Sequence, residues 1–309
     1  MKQTYHANGK LLITAEYLVL KGALAFALPL NKGQSLSVEN GTLGILQWKA
    51  LTPNGLWFNA KFNNKLDIIE TSSIEHAKKL QIILLQVISQ NKNAANTIIN
   101  KKVTTQLEFD PLWGWGSSST LLCLLSLWLK TDPYSVMDAT FGGSGYDLAC
   151  GLAKTPILYS RENNMVPKIT PIHFNPNFLD NLGVVWLNKK QISSKEVKRF
   201  LSSENDCRIF KKKASELTKR LIAATNIEDF GSVIHEHEAL IAETTGKKPV
   251  QEKLFADFNG SIKSLGAWGG DFILFVSPTP NSAFNYFRKK GYNTFFNLKQ
   301  IMLANNTQY

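Results

Sequence analysis

Cysteine is scarce in this chain of 309 residues, which contains only Cys123, Cys150 and Cys207. Three cysteines are too few for a disulfide-rich scaffold, and they lack the paired spacing of a zinc site. Cys123 and Cys150 lie in apolar stretches, so we expect buried free thiols in a reducing compartment. The sequence therefore predicts a cytoplasmic protein.

Long apolar runs are also missing. No stretch reaches the roughly 20 apolar residues that span a bilayer, and the N-terminus lacks the pattern of a signal peptide. Hydrophobic residues make up 44% of the chain and charged residues 19%, which is typical of a soluble globular protein. The length favours two domains. We place them at residues 1–178 and 179–309, because the Asn/Pro-rich stretch 163–181 is typical of a domain junction.

Acidic residues are outnumbered, with 24 Asp and Glu against 35 Lys and Arg, so the formal net charge is +11. This charge favours anionic ligands such as nucleotides, phosphorylated metabolites or nucleic acid. The Walker pattern Gly-x-x-x-x-Gly-Lys-Ser/Thr does not occur, which argues against a P-loop NTPase. No basic stripe interleaved with exposed aromatic residues occurs either, so we expect no nucleic-acid partner.

A glycine turn before an apolar segment is the most informative pattern. Residues 103–109 are rich in β-branched and apolar residues and predict a strand, and residues after 116 predict a buried helix. The turn and the helix start contain Gly114, Trp115, Gly116, Ser117, Ser118 and Ser119. Glycines let backbone approach a ligand closely, and the first turn of a helix offers unpaired N–H groups to a phosphate. On the residues alone, such a turn is more often a simple helix cap than a phosphate site.

Two further segments combine glycine with a charged side chain. Residues 5–22 contain Gly9-Lys10 and then Glu16, and residues 141–151 place Asp147 among small residues. Functionally, Asp147 would be a general base or an electrostatic group. The simpler alternatives are that Lys10 is a surface residue with Glu16 as its solvated neighbour, and that Asp147 caps a helix.

The C-terminal half predicts an α+β arrangement. Its order of strand, helix, helix, strand, helix, strand favours an antiparallel sheet with helices on one face. The second of these helices, residues 227–244, carries His235-Glu236-His237-Glu238. These histidines are not spaced as His-Glu-x-x-His, so we interpret them as part of a solvated helix face.

Together the segments resemble, in order, three motifs of the GHMP kinases: galactokinase, homoserine kinase, mevalonate kinase and phosphomevalonate kinase. Residues 9–22 are similar to the opening motif, and residues 114–118 resemble the phosphate loop Gly-Leu-Gly-Ser-Ser. Residues 265–270 resemble the C-terminal glycine motif that supports that loop, with Gly266, Ala267, Gly269 and Gly270 as its members. The run 143–149 resembles the aspartate segment of the mevalonate and phosphomevalonate kinase branch.

The resemblance implies the GHMP kinase fold. It has an N-terminal domain like ribosomal protein S5 domain 2 and a C-terminal ferredoxin-like domain, with the site between them. ATP phosphates would lie on residues 114–119, with Mg²⁺ on the Ser118 hydroxyl, and Asp147 and Lys10 would flank the acceptor hydroxyl. Glu16 is the candidate for a second Mg²⁺ contact.

Two departures from the family pattern affect these expectations. Trp268 stands where the third motif has a glycine, and the glutamate that gives mevalonate kinases a second Mg²⁺ contact has no clear counterpart. The expected activity is an ATP-dependent kinase of the isoprenoid pathway acting on mevalonate or 5-phosphomevalonate, without a membrane partner. A homodimer is the assembly that we consider. The alternatives are a diphosphomevalonate decarboxylase, or a non-catalytic protein of the same fold that binds nucleotide or nucleic acid.

Overall fold

The computed structural model describes residues 2–162, 165–189, 207–266 and 271–303. The chain divides into two compact units. Unit 1 comprises Met1–Gly9, Lys32–Pro111 and Trp115–Leu152, and unit 2 comprises Lys10–Asn31, Leu112–Gly114 and Ala153–Tyr309. The predicted boundary between residues 178 and 179 stays a prediction. Within the described ranges, no helix has both the length and the apolar character needed to cross a bilayer.

Unit 1 is built on a mixed sheet. It contains β3 (Leu46–Thr52), β4 (Gly55–Phe62), β5 (Ile68–Thr71) and β6 (Lys101–Leu107), together with parts of β1 (Gln3–Leu12) and β2 (Ala25–Asn40), whose remaining residues belong to unit 2. They are ordered β5-β4-β3-β6-β2, and β1 also pairs with β2. Strands β3 and β6 run parallel, with Trp48 opposite Val103, whereas the β3–β4 and β2–β6 pairs are antiparallel.

Helices pack on the buried face of this sheet. They are α1 (Ile74–Gln90), α2 (Asn93–Ile98), α3 (Ser117–Leu129), α4 (Pro133–Thr140) and α5 (Tyr146–Leu152). The prediction that α3 is a buried central helix is confirmed, because most of its residues are buried and only Ser118 and Leu127 are exposed. It ends where Lys130 adopts a left-handed conformation, a common way to terminate a helix.

Unit 2 contains an antiparallel sheet, as predicted for the C-terminal half. Its strands are β9 (Leu182–Trp186), β10 (Ser261–Ser264), β11 (Phe272–Val276) and β12 (Phe295–Asn297), in the order β10-β11-β9-β12. The hairpin strands β7 (Ile157–Ser160) and β8 (Lys168–Pro171) precede them, and β7 pairs with the Ala25–Ala27 part of β2. The sequence analysis did not predict β10 as a strand.

The helices of unit 2 correct one prediction. They are α6 (Cys207–Ala223), α7 (Ile227–Thr245), α8 (Val250–Leu254), α9 (Pro280–Lys289) and α10 (Leu298–Ile301). His235 and Glu236 lie on the solvated side of α7, but His237 and Glu238 are 0% and 2% exposed. The solvated-face interpretation is therefore wrong for these two, because they share the apolar stripe of Ile234 and Ile241 at helical spacing.

Candidate active site

The start of α3 leaves its first turn open. Gly114 and Gly116 have φ of 69° and 98°, a left-handed conformation that glycine adopts without strain. Gly116 is the N-cap and makes no side-chain cap hydrogen bond to the helix. The first backbone N–H groups of α3 therefore have no capping side chain, and the positive end of the helix dipole adds to their attraction for an anion.

The three serines of this turn have different surroundings. Ser119 is buried, and its hydroxyl donates to the Gly116 carbonyl at 2.9 Å. Ser118 is exposed, and its hydroxyl makes no hydrogen bond within the described residues. Ser117 is half-buried and begins the helix. Ser118 is thus the hydroxyl that a ligand can reach, whereas Ser119 stabilises the turn.

Trp115 occupies the core. It is 1% exposed, and its ring lies 5.8 Å from the Phe109 ring between centroids. The tryptophan in the leucine position of the loop therefore anchors the turn through its side chain. Only its backbone is left to take part in ligand binding.

Asp271 lies against the first glycine of the turn. A β-carbon at Gly114 would lie 3.0 Å from the Asp271 carboxyl group, and one at Gly266 would lie 3.5 Å from the same group. Asp271 itself has φ of 55°. Its N–H donates to the Lys189 carbonyl at 2.7 Å, and its carbonyl accepts from the Leu187 N–H at 2.8 Å. Backbone hydrogen bonds thus hold this carboxylate in place between two glycine segments of unit 2.

Asp147 lies in the first turn of α5, which begins one residue earlier at Tyr146. Its carboxylate is half-buried and accepts from the Leu148 N–H at 3.1 Å. Because α5 starts before it, Asp147 is not the N-cap residue. Its position is nevertheless one where helix dipoles favour an anion.

Helix α5 packs directly on α3. The Cys123 thiol of α3 donates to the Leu148 carbonyl at 3.5 Å, and a β-carbon at Gly151 would lie 2.7 Å from the Cys123 sulfur. Burial raises the pKa of Cys123, and the negative charge of Asp147 raises it further. The thiol is thus a packing group, and α5 is held firmly on the helix that bears Ser118.

The opening segment also reaches the glycine turn. A β-carbon at Gly9 would lie 2.7 Å from the Lys32 carbonyl oxygen and 3.3 Å from the Trp115 carbonyl oxygen. Only glycine allows this close approach of β1. Lys10 follows directly in β1 and is half-buried.

Comparisons with known proteins agree with this arrangement at the level of the fold. No family model and no curated protein matches the sequence. Among solved structures, the Lin0012 protein from Listeria innocua matches with a TM-score of 0.72 and 17% identity, covering 96% of this chain and 97% of that one. Streptococcus pneumoniae phosphomevalonate kinase in complex with phosphomevalonate and AMPPNP matches with a TM-score of 0.69 and 15% identity, covering 96% and 100%. Methanococcus jannaschii mevalonate kinase matches with a TM-score of 0.68 and 15% identity, covering 99% of both chains.

The chain has the GHMP kinase fold. The α+β class predicted from the motif order is therefore confirmed. One fold hosts many activities, so the likeness does not transfer the substrate of either kinase.

The remaining predicted site residues belong to the third glycine motif and to the opening segment. Gly266 is described and has φ of 67°, whereas Ala267, Gly269, Gly270 and Trp268 lie outside the described residues. Glu16 is 1% exposed and forms an ion pair with Lys263, which is equally buried. Its role as a Mg²⁺ ligand stays a prediction. The sequence pattern did not indicate that Lys263, His237 or Glu238 would lie near the segment that contains Glu16.

Proposed function

We propose that this protein is an ATP-dependent kinase that transfers the γ-phosphate of ATP to mevalonate or 5-phosphomevalonate. The observation that carries the proposal is the uncapped start of α3, which follows two left-handed glycines and packs against the helix that bears Asp147. The proposed phosphate site and the Asp147 carboxylate would thus lie on two helices in direct contact. The GHMP kinase fold supports the same assignment.

The residues of the turn fit ATP phosphates. The N–H groups at the start of α3 would bind phosphate oxygens, and the exposed Ser118 hydroxyl would complete the site. Among the described residues, no group of three or more His, Cys, Asp and Glu side chains is arranged to hold a metal ion. This suits Mg²⁺, which enzymes commonly hold through one or two protein oxygens and the phosphates of the substrate. Bound Mg²⁺ would neutralise phosphate charge during transfer.

Asp147 would act on the acceptor. Phosphoryl transfer depends on alignment and charge stabilisation more than on covalent chemistry, and a carboxylate can accept the proton that the alcohol loses. For Lys10 we propose charge balance at the acceptor oxygen, as the motif resemblance implies.

The charge of the protein supports an anionic acceptor. A net charge of +11 attracts a carboxylate or phosphate more strongly than a neutral sugar. Mevalonate carries a carboxylate, and 5-phosphomevalonate carries a carboxylate and a phosphate.

ADP release measured by a coupled assay tests the proposal. We expect turnover with mevalonate or 5-phosphomevalonate and little with homoserine or galactose. Robust turnover of galactose, or of neither mevalonate compound, would overturn the acceptor assignment. Release of phosphate and CO₂ from diphosphomevalonate would establish the decarboxylase instead.

A further inference from the structure

Two successive residues of α7 hold two separate segments of unit 2. The first is His237, whose Nε2 atom accepts from the Ala15 N–H at 2.8 Å. Burial, and then the positive charge of Lys263, lower the pKa of His237 well below its ordinary value. The ring is therefore neutral, with a lone pair at Nε2, and only this form can accept the amide hydrogen.

The second residue is Glu238, which binds the end of β10. Its Oε1 atom accepts from the Ser264 N–H at 3.0 Å, and its Oε2 atom accepts from the Ser264 hydroxyl at 3.3 Å. Gly266, with its left-handed backbone, follows two residues later. The carboxyl group thus fixes the end of β10, two residues before Gly266.

Lys263 joins the two segments to each other. Its ammonium group donates to Glu16, to the Ser264 carbonyl at 2.9 Å, and lies 3.9 Å from Glu238. All three side chains are buried, with at most 3% of their surface exposed. Burial raises the pKa of Glu16, and the positive charge of Lys263 acts against this shift. A buried ion pair that lost one partner would leave an uncompensated charge, so this contact strongly couples residue 16 to β10.

The turn that His237 holds is conformationally strained. Ala15 and Tyr17 have φ of 64° and 61°, a region that costs non-glycine residues energy. Such conformations persist where the surrounding structure determines them, and they are concentrated at functional sites. The turn lies just beyond the β1 strand that carries Lys10.

We propose that His237 and Glu238 are positioning residues of the kinase site, a role that rests on the function proposed above. His237 holds the strained turn at 15–17, Glu238 holds the β10 end at 264–266, and the Lys263–Glu16 pair sets the two segments against each other. Neither α7 side chain touches substrate. They act by fixing the backbone that presents Lys10 and Gly266.

Side-chain length provides a matched test. Gln at either position can place an acceptor where His237 Nε2 or the Glu238 carboxyl now lies, whereas Asn is one methylene too short. We therefore compare His237→Gln with His237→Asn, and Glu238→Gln with Glu238→Asn. Glu243→Asn, on the exposed side of the same helix, is the control. All are assayed with ATP and the best acceptor, well below their own melting temperatures.

If the two residues position the site, the length of the substituted side chain should determine kcat. The Gln variants and the control should stay within about threefold of wild-type kcat, and the Asn variants should lose about tenfold or more, since small misplacements cost up to about a hundredfold. KM should change less than kcat. Asn variants that melt earlier but turn over normally would reduce the two residues to a purely structural role and overturn the proposal.

Amide hydrogen exchange tests the contacts without any turnover. His237→Asn should speed exchange at the Ala15 amide, and Glu238→Asn at the Ser264 amide, each by about tenfold or more and each most strongly at its own contact. Unchanged exchange at both amides would overturn the proposal. If the wild type turns over no acceptor, the proposed function fails on that result alone. The exchange pattern still decides whether these side chains hold the two segments.

Discussion

Asp147 gives the sharpest test at the residue scale, because its charge separates catalysis from helix stabilisation. Asn is nearly isosteric and would still accept the Leu148 N–H, but it cannot accept a proton. General bases contribute on the order of 10²–10⁴-fold. We therefore expect Asp147→Asn to fold, to bind AMPPNP as the wild type does, and to lose about a hundredfold or more in kcat. Calorimetry and the coupled ADP assay measure both quantities.

The exposed carboxylate Asp67 serves as the control for that experiment. Asp67→Asn should leave kcat unchanged. Turnover of Asp147→Asn within a few-fold of wild type would remove Asp147 from the mechanism. Loss of AMPPNP binding would mean that it holds nucleotide or fold instead.

Gly114 tests whether the turn depends on close packing against Asp271. Gly114 and Gly44 have similar φ, 69° and 74°, but a β-carbon meets the Asp271 carboxyl at 3.0 Å in the first case and nothing within 4 Å in the second. Gly44→Ala should cost only backbone strain, about 1–2 kcal/mol in the free energy of unfolding. Gly114→Ala should cost more and also weaken AMPPNP binding. Equal unfolding energies and unchanged affinity would show that the contact is unimportant.

Among whole elements, the start of α3 offers two neighbouring serines whose substitution should have different effects. One should affect ATP turnover and the other the stability of the fold. Ser118→Ala removes an exposed hydroxyl that makes no bond within the described residues, so stability should be unchanged and Mg²⁺-ATP turnover should fall. Ser119→Ala removes a buried bond to Gly116, which should cost about 1 kcal/mol of stability. Urea unfolding and kcat/KM for ATP distinguish the two. The reverse pattern would assign the ligand contact to Ser119.

Elements whose apolar residues recur at a regular spacing could be predicted from the sequence. Elements that depend on partners far away in the chain could not. The apolar run of α3 and the glycines before it placed that helix within a residue. Strand β10 was missed because Lys263 interrupts its apolar pattern, and the partner that makes this lysine suitable for the core, Glu16, lies far away in the sequence. On α7, the stripe of Ile234 and Ile241 already placed His237 and Glu238 inward. The wrong expectation came from considering only the spacing of the histidines, which does not match a metal motif.

At the scale of the whole molecule, motif order was enough for the fold but not for the acceptor. Gly9, the turn at 114–116 and Asp147 are separated by tens of residues, yet β1, α3 and α5 bring Gly9 to Trp115 and Leu148 to Cys123. Such a frame is common to enzymes with different substrates. The acceptor depends on side chains that no local pattern marks, so it is a matter for the assay.

The buried Glu238 carboxyl predicts how the stability of the whole molecule depends on pH. Burial raises its pKa from 4.5 to about 8, so the folded state holds a proton that the unfolded state loses between these values. The stabilisation that this carboxyl contributes is fully present below its pKa in the unfolded chain and is lost as the pH rises through about 8. The slope is at most about 1.4 kcal/mol per pH unit. His237, with its lowered pKa, changes stability in the opposite direction, but only below its ordinary value of 6.5.

Between pH 6.5 and 9 the Glu238 effect can therefore be isolated. We expect the unfolding free energy of the wild type, measured in urea, to decline across this range more steeply than that of Glu238→Gln, whose amide does not titrate. The advantage of the variant over the wild type should grow with pH. Glu243→Gln, an exposed change on the same helix, is the matched control and should run parallel to the wild type. If Glu238→Gln also runs parallel, then Glu238 is ionised in the folded protein at neutral pH, and its hydrogen bonds to Ser264 are those of a carboxylate.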